Sequence, residues 1–276
     1  MPGVVVFGLS GPSCSGKTTI ALHLARLFPR AAVVHQDNFY RPDSQIPLHP
    51  TARIQDWDCP ESFDMQAMAH AIDAAREALA HPTEAEPHSA DGGDQTASQW
   101  ANPPADVDQL IPPAGIASIC SAMLDSLGVN AASDIPFAVV VVDGILLFYD
   151  SADGGACPGS ACDAGALVYA QRDTLRQRRE ARTVYATKEG IWVDPPGYFD
   201  AIVWPNFTKH HRSLLAALPQ VAGGQAAEGG GGGRDWGGSR DWAGKVVVCS
   251  SDEPAETTLR VCVESIVHEW HSRQNI

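Results

Sequence analysis

The chain is poor in positive charge. Nineteen Lys and Arg stand against 33 Asp and Glu in 276 residues, a formal net charge of −14. A general nucleic-acid binder carries a basic surface that neutralises phosphates, so no nucleic-acid partner is expected. Long apolar runs are missing too. None approaches the ~20 residues needed to cross a bilayer, so no membrane partner is expected. The start, Met1-Pro2-Gly3, has no basic stretch ahead of its short apolar run, and no secretory leader is expected. Cysteine is sparse and odd in number, with seven at scattered positions. Cys157 and Cys162 are the nearest pair, and no second pair stands at metal-ligand spacing. That usage fits a reducing compartment better than a disulfide framework. Cytoplasm is the expected location, with the nucleus as the other compartment that fits.

What the chain does have is an alternating plan. Apolar residues make up 44% of it, enough to build a real core. Five short apolar runs read as buried strands: 3–9, 31–35, 137–143, 166–170 and 245–249. Helical patterns lie between them. Residues 60–80 carry Met65, Met68, Ile72 and Leu79 on one face, residues 173–185 form a charged helix, and residues 254–271 align Leu259, Val263, Ile266, Val267 and Trp270. Strands alternating with helices predict a three-layer α/β fold around a mostly parallel five-stranded sheet. One domain over 1–276 is expected, with two low-complexity surface insertions at 82–135 and 222–244. The first holds one amphipathic patch, Ile116 to Leu127. The second holds a glycine run and two Arg-Asp-Trp triplets (234–236 and 240–242), best explained as a duplicated low-complexity loop.

Residues 11–18, Gly11-Pro12-Ser13-Cys14-Ser15-Gly16-Lys17-Thr18, form a complete G-x-x-x-x-G-K-[ST] phosphate-binding loop. Gly11 and Gly16 let the backbone turn and aim N–H groups at a polyphosphate. Ser13, Cys14, Ser15 and Thr19 share that cradle. Lys17 is expected on the β- and γ-phosphates and Thr18 on Mg²⁺. The apolar run before the loop and the helix after it complete an anion site. A nucleoside triphosphate with Mg²⁺ is therefore the expected ligand.

Phosphoryl transfer also needs a carboxylate near the acceptor, a carboxylate for the metal, and cations over the moving group. Asp37 follows the second strand and is a candidate base; a helix cap is the competing explanation. Asp143 ends the run Phe137–Val142 and resembles a Walker B acid, which holds Mg²⁺ directly or through water. Arg172, Arg176, Arg178, Arg179 and Arg182 cluster within eleven residues, suited either to grip phosphates and a sugar or to form a solvated, salt-bridged helix face. Position alone explains Asp58 as a helix cap.

Several segments together resemble one family. They are the loop 11–18, Gln36-Asp37-Asn38-Phe39-Tyr40, Asp56-Trp57-Asp58, Asp143-Gly144-Ile145-Leu146-Leu147-Phe148, Arg178-Arg179-Glu180-Ala181-Arg182, Pro196-Gly197-Tyr198-Phe199-Asp200 and Val203-Trp204-Pro205. In that order they are similar to the nicotinamide riboside kinases, within the uridine kinase-like P-loop kinases. The resemblance implies a P-loop fold with a helical lid, and transfer of the ATP γ-phosphate to the 5′-hydroxyl of nicotinamide riboside, and of nicotinic acid riboside, for NAD salvage. It implies Asp37 as base, with Lys17 and Arg179 also catalytic. Asp58 and Arg179 would bind the ribose diol. Trp57 and Tyr185 would sandwich the pyridine ring, and Arg178 and Arg182 would cover the triphosphate. Thr18 and Asp143 would serve Mg²⁺. Two departures stand out: Asp143 where the family has Glu, and Trp57 where tyrosine is usual. The size and the resemblance lead to the expectation of a monomer. A uridine or cytidine kinase remains the alternative, because 58–64 also resembles that family's nucleoside segment. An NTP-binding regulator without catalysis is a third, which the presence of Lys17, Asp37 and Arg179 disfavours.

Overall fold

The computed structural model describes residues 3–81, 110–149, 157–182, 184–187, 189–216 and 245–274. Five strands make one parallel sheet: β1 (Gly3–Ser10), β2 (Ala31–His35), β3 (Phe137–Gly144), β4 (Ala164–Tyr169) and β7 (Val246–Ser250), in the order β2-β3-β1-β4-β7. The five expected strands are all present, with ends shifted by a residue or two. Strand periodicity builds the layers. Val5, Phe7 and Leu9 of β1 face one core and Val4 and Val6 the other, because successive side chains point to opposite faces.

On the first face lie α1 (Lys17–Leu27), α3 (Pro113–Leu127) and α7 (Ala255–Gln274); on the second lies α2 (Met65–Ala80), joined by Phe207 and Leu215 from further along the chain. Helix α2 starts later than its pattern suggested. Pro60–Ser62 form a separate short turn, and Asp64 caps α2 by accepting from the Ala67 N–H at 2.9 Å. The cap is therefore Asp64, which removes capping as the explanation for Asp58.

Helix α3 corrects an expectation. Residues 110–135 were expected to be surface insertion, yet Ile111, Ile119, Met123 and Ile135 are buried in the first core. The amphipathic patch read at Ile116 to Leu127 is this helix, and its apolar stripe packs into the core. By length and composition alone, residues 113–134 could also cross a membrane, at mean hydropathy 1.2. The sequence reading missed this because Ser and Asp interrupt the run; alanine together with Ile, Leu, Val, Met and Cys sustains the average. The rest of both expected insertions, 82–109 and 222–244, lies outside the described residues.

After β4 come α4 (Arg172–Ala181) and an antiparallel hairpin of β5 (Tyr185–Ala186) and β6 (Ile191–Trp192). The charged helix thus stops before Tyr185, which belongs to the hairpin. A π turn over Phe199–Val203 then runs into α5 (Trp204–His210), followed by α6 (Arg212–Ala216). A third apolar cluster joins this part of the chain: Ile46, Trp57, Leu175, Tyr198, Phe199, Ile202 and Val203. It lies under the hairpin, outside both sheet cores.

Candidate active site

The parallel register decides what meets at the sheet's carboxyl edge. Asp143 on β3 stands opposite Leu9 of β1 on one side and His35 of β2 on the other. The phosphate loop leaves β1 one residue later, so loop, Asp143 and Asp37 converge. Gly11 has φ +147°, and a Cβ there would sit 1.9 Å from the Val168 carbonyl oxygen; only glycine fits. Gly16 adopts φ +88° immediately before α1. Lys17 is buried and folds back to donate to the Pro12 carbonyl at 3.0 Å. Ser15 and Thr19 are buried, while Ser13 and Cys14 are half-buried on the loop's rim.

Thr18 Oγ1 donates to Asp143 Oδ2 at 2.7 Å, and His35 Nδ1 lies 3.1 Å from the same oxygen. Burial alone would raise the Asp143 pKa, but the His35 hydrogen bond, the Lys17 charge and the Thr18 hydroxyl together hold it below the usual carboxylate value. Burial alone would lower His35, yet the Asp143 contact and the Asp37 charge raise it. Asp143 Oδ1 is buried with no hydrogen-bond partner. An orphaned oxygen on the carboxylate that Thr18 engages fits a hard cation. Among the described residues no three His, Cys, Asp or Glu gather into a cage. Mg²⁺ needs only one or two protein oxygens, with phosphates and water supplying the rest.

Asp37 lies in a short turn, Gln36–Phe39, directly after β2. Buried Gln36 fixes that turn: its amide donates to the Leu146 carbonyl at 3.3 Å and its oxygen accepts from the Leu146 N–H at 2.9 Å. The Asp37 carboxylate reaches solvent, yet it is surrounded by protein. Loss of hydration and the nearby Asp143 charge raise its pKa, against the pull of Lys17, His35 and Arg182.

The second half of the site is built around Arg179, buried at 6% exposure. Its guanidinium forks onto Asp194 at 2.6 and 3.1 Å, and Trp192 Nε1 donates to the same carboxylate at 2.9 Å. Asp58 is buried nearby, within reach of the Arg179 charge and 3.5 Å from the Tyr198 hydroxyl. Burial pushes its pKa to about 6; Arg179 opposes this, while Asp56, Asp194 and Asp37 reinforce it. Asp56 accepts twice from the Asn206 amide, at 2.8 and 2.9 Å, which ties the Asp56-Trp57-Asp58 segment to α5.

No family model matches the chain. It is 32% identical over 211 residues to the nicotinamide riboside kinase of Schizosaccharomyces pombe, covering 76% of this chain and 80% of that one. It is 31% identical over 212 residues to the nicotinamide riboside kinase of Saccharomyces cerevisiae, covering 77% and 79%. The chain belongs to the nicotinamide riboside kinase family. Nicotinamide riboside kinase 1 of Homo sapiens is 26% identical over 210 residues, covering 76% and 77%.

Within this nicotinamide riboside kinase fold, the residues singled out from sequence are not all together. Lys17, Thr18, Asp37 and Asp143 share one end, and Asp58, Trp57 and Arg179 the other. The guanidiniums of Arg179 and Arg182 lie over the Tyr185 ring, at 4.8 and 4.4 Å, and its hydroxyl is 3.7 Å from Cys14 Sγ. Among the described residues, the rings packed on Trp57 are Tyr40 at 5.4 Å and Trp192 at 5.6 Å. Arg178 donates to the Ser251 hydroxyl and carbonyl at 2.9 and 2.8 Å, on the turn after β7. Arg172 pairs with Asp200, and Arg176 pairs loosely with Asp173 and Glu180; these two form the salt-bridged face.

His35, Trp192 and Asp194 were missed. His35 and Asp194 sit one and two positions outside segments that were read. A polar residue ending an apolar strand was the signal for His35, and a carboxylate before paired prolines the signal for Asp194.

Proposed function

We propose that the chain phosphorylates the 5′-hydroxyl of nicotinamide riboside from ATP, giving the mononucleotide for NAD salvage. Nicotinic acid riboside is the second substrate of the same site. The observation that carries this reading is the juxtaposition, within the family's fold, of Asp37 and the phosphate loop with the Asp58–Arg179 pair and an aromatic cluster. One domain spanning 1–276 does the work.

The backbone N–H groups of the loop and α1 hold the triphosphate. Lys17 leaves the Pro12 carbonyl for the β- and γ-phosphates as they enter. Thr18 and Asp143 would hold Mg²⁺, which would neutralise phosphate charge. Asp58 accepts from the ribose 2′- and 3′-hydroxyls, and Arg179, braced by Asp194, donates to them. The positively charged pyridine ring rests on aromatic faces. Trp57 supplies one and Tyr185 the other, with Trp192 packed on Trp57 at 5.6 Å. Cation–π attraction is worth about 0.5–2 kcal/mol per ring.

Asp37 accepts the 5′-hydroxyl proton as the new O–P bond forms and the bond from γ-phosphorus to the β–γ bridging oxygen breaks. ADP leaves, and Asp37 returns the proton to solvent. The raised basicity of Asp37 suits it to this step. Arg182 offsets charge on the moving group, while Arg178 anchors the lid of α4 and the hairpin to the Ser251 turn. Phosphorus NMR of the product tests the reaction. A monophosphate coupled to the 5′-methylene protons is expected; phosphate at the 2′- or 3′-oxygen, or free phosphate alone, would overturn it.

A further inference from the structure

One polar contact in the site has no part in the steps above. His35 closes β2 directly opposite Asp143, and its Nδ1 lies 3.1 Å from Asp143 Oδ2. Because an ionised carboxylate only accepts, Nδ1 carries the hydrogen. Thr18 donates to that same oxygen at 2.7 Å. Both donors therefore engage Oδ2, and Oδ1 is left buried and unpartnered.

The arrangement has a mechanical consequence. The terminal torsion of an aspartate is broad and two-fold, so one hydrogen bond leaves the carboxylate plane free to turn. Two donors from different elements, α1 and β2, fix the plane. The Thr18 hydroxyl has a single hydrogen and two lone pairs. With its hydrogen on Asp143, its lone pairs are free for a cation.

We propose that His35 is a positioning residue: by donating to Asp143 Oδ2, the oxygen that the Thr18 hydroxyl also engages, it holds the carboxylate so that the unpartnered Oδ1 is kept for the Mg²⁺ of the bound nucleotide. This rests on the kinase reading. Outer partners of metal-binding side chains commonly set metal affinity by orienting those side chains.

The test measures ADP affinity by titration calorimetry, with Mg²⁺ and with EDTA, for the wild type, His35→Ala, His35→Asn and His35→Gln. The Asn amide nitrogen takes nearly the place of Nδ1. The Gln amide reaches further and keeps volume and polarity without a donor at that place. Mg²⁺ is expected to tighten ADP binding to the wild type and to His35→Asn. In His35→Ala and His35→Gln that tightening should drop by about tenfold, with affinity in EDTA unchanged. A merely structural histidine would lower both affinities together. Should His35→Ala not fold, the Asn and Gln pair decides alone. Full Mg²⁺ tightening in His35→Gln, or loss of it in His35→Asn, overturns the proposal. A wild type without any Mg²⁺ tightening overturns the metal roles of Thr18 and Asp143 first, and this inference with them.

Discussion

Asp58→Asn should make the protein more stable and less active, and the size of each effect follows from where Asp58 sits. The carboxyl is buried among Asp56, Asp194 and Asp37, and its pKa rises from 3.8 to about 6. The folded state therefore keeps a proton that the unfolded chain has already lost between about pH 4 and 6. Stability falls as pH rises through that window, and the cost is complete above it. The gap corresponds to about 3 kcal/mol at most. Asparagine removes the cost but also removes an attraction on Arg179. Arg179 still has its fork onto Asp194, so it is not left unpaired. A net gain of about 1–3 kcal/mol is expected at pH 8, read as a higher Tm by about 2–4 °C per kcal/mol. At pH 4 the two proteins should melt together. In the same variant, losing a charged acceptor for the ribose hydroxyls should lower kcat/KM for nicotinamide riboside by about 10–100-fold. Thermal melts at the two pH values and a rate assay check both. A variant less stable than wild type at pH 8, or equally shifted at both pH values, would refute the reasoning.

Asp37→Ala should lose at least about a hundredfold in kcat while keeping ADP affinity; near wild-type turnover would remove Asp37 as base. Trp192→Ala should raise KM for nicotinamide riboside with little change for ATP, and equal rises for both would make Trp192 structural. Ile119→Ala should cost about 2–5 kcal/mol in a urea melt; a loss under about 0.5 kcal/mol would return α3 to the surface. Gly11→Ala forces a Cβ to within 1.9 Å of the Val168 carbonyl oxygen, so nucleotide affinity should collapse; unchanged affinity would show that the loop can shift.

The sheet was legible because its strands are uninterrupted apolar runs, and Phe137–Val142 admits hardly any other reading. The phosphate loop was equally plain, since its chemistry is local in sequence. Helix α3 was legible as an amphipathic patch, but its place in the core was obscured because Ile119 and Met123, with Ile111 and Ile135 flanking the helix, are spread thinly among Ala, Ser, Pro and Gly. Their partners on α7 are more than a hundred residues away. The nucleoside side was legible only in part. Trp57, Asp58 and Arg179 could be picked out, but the pairing of Arg179 with Asp194 depends on how the hairpin folds back under α4. That hairpin also decides that Tyr185 packs against two guanidiniums while Trp192 faces Trp57. No local pattern encodes such a choice. His35 acquires its partner through strand register, 108 residues along the chain.

The most direct test of the account is a side-by-side measurement of kcat/KM with ATP and Mg²⁺ on nicotinamide riboside, nicotinic acid riboside, uridine and cytidine. The pyridine ribosides are expected to win by a wide margin, because the aromatic faces at Trp57 and Tyr185 reward a flat ring without needing base-edge hydrogen bonds. Preference for uridine or cytidine would contradict it, and would leave the phosphate chemistry standing while the roles of the aromatic residues fall.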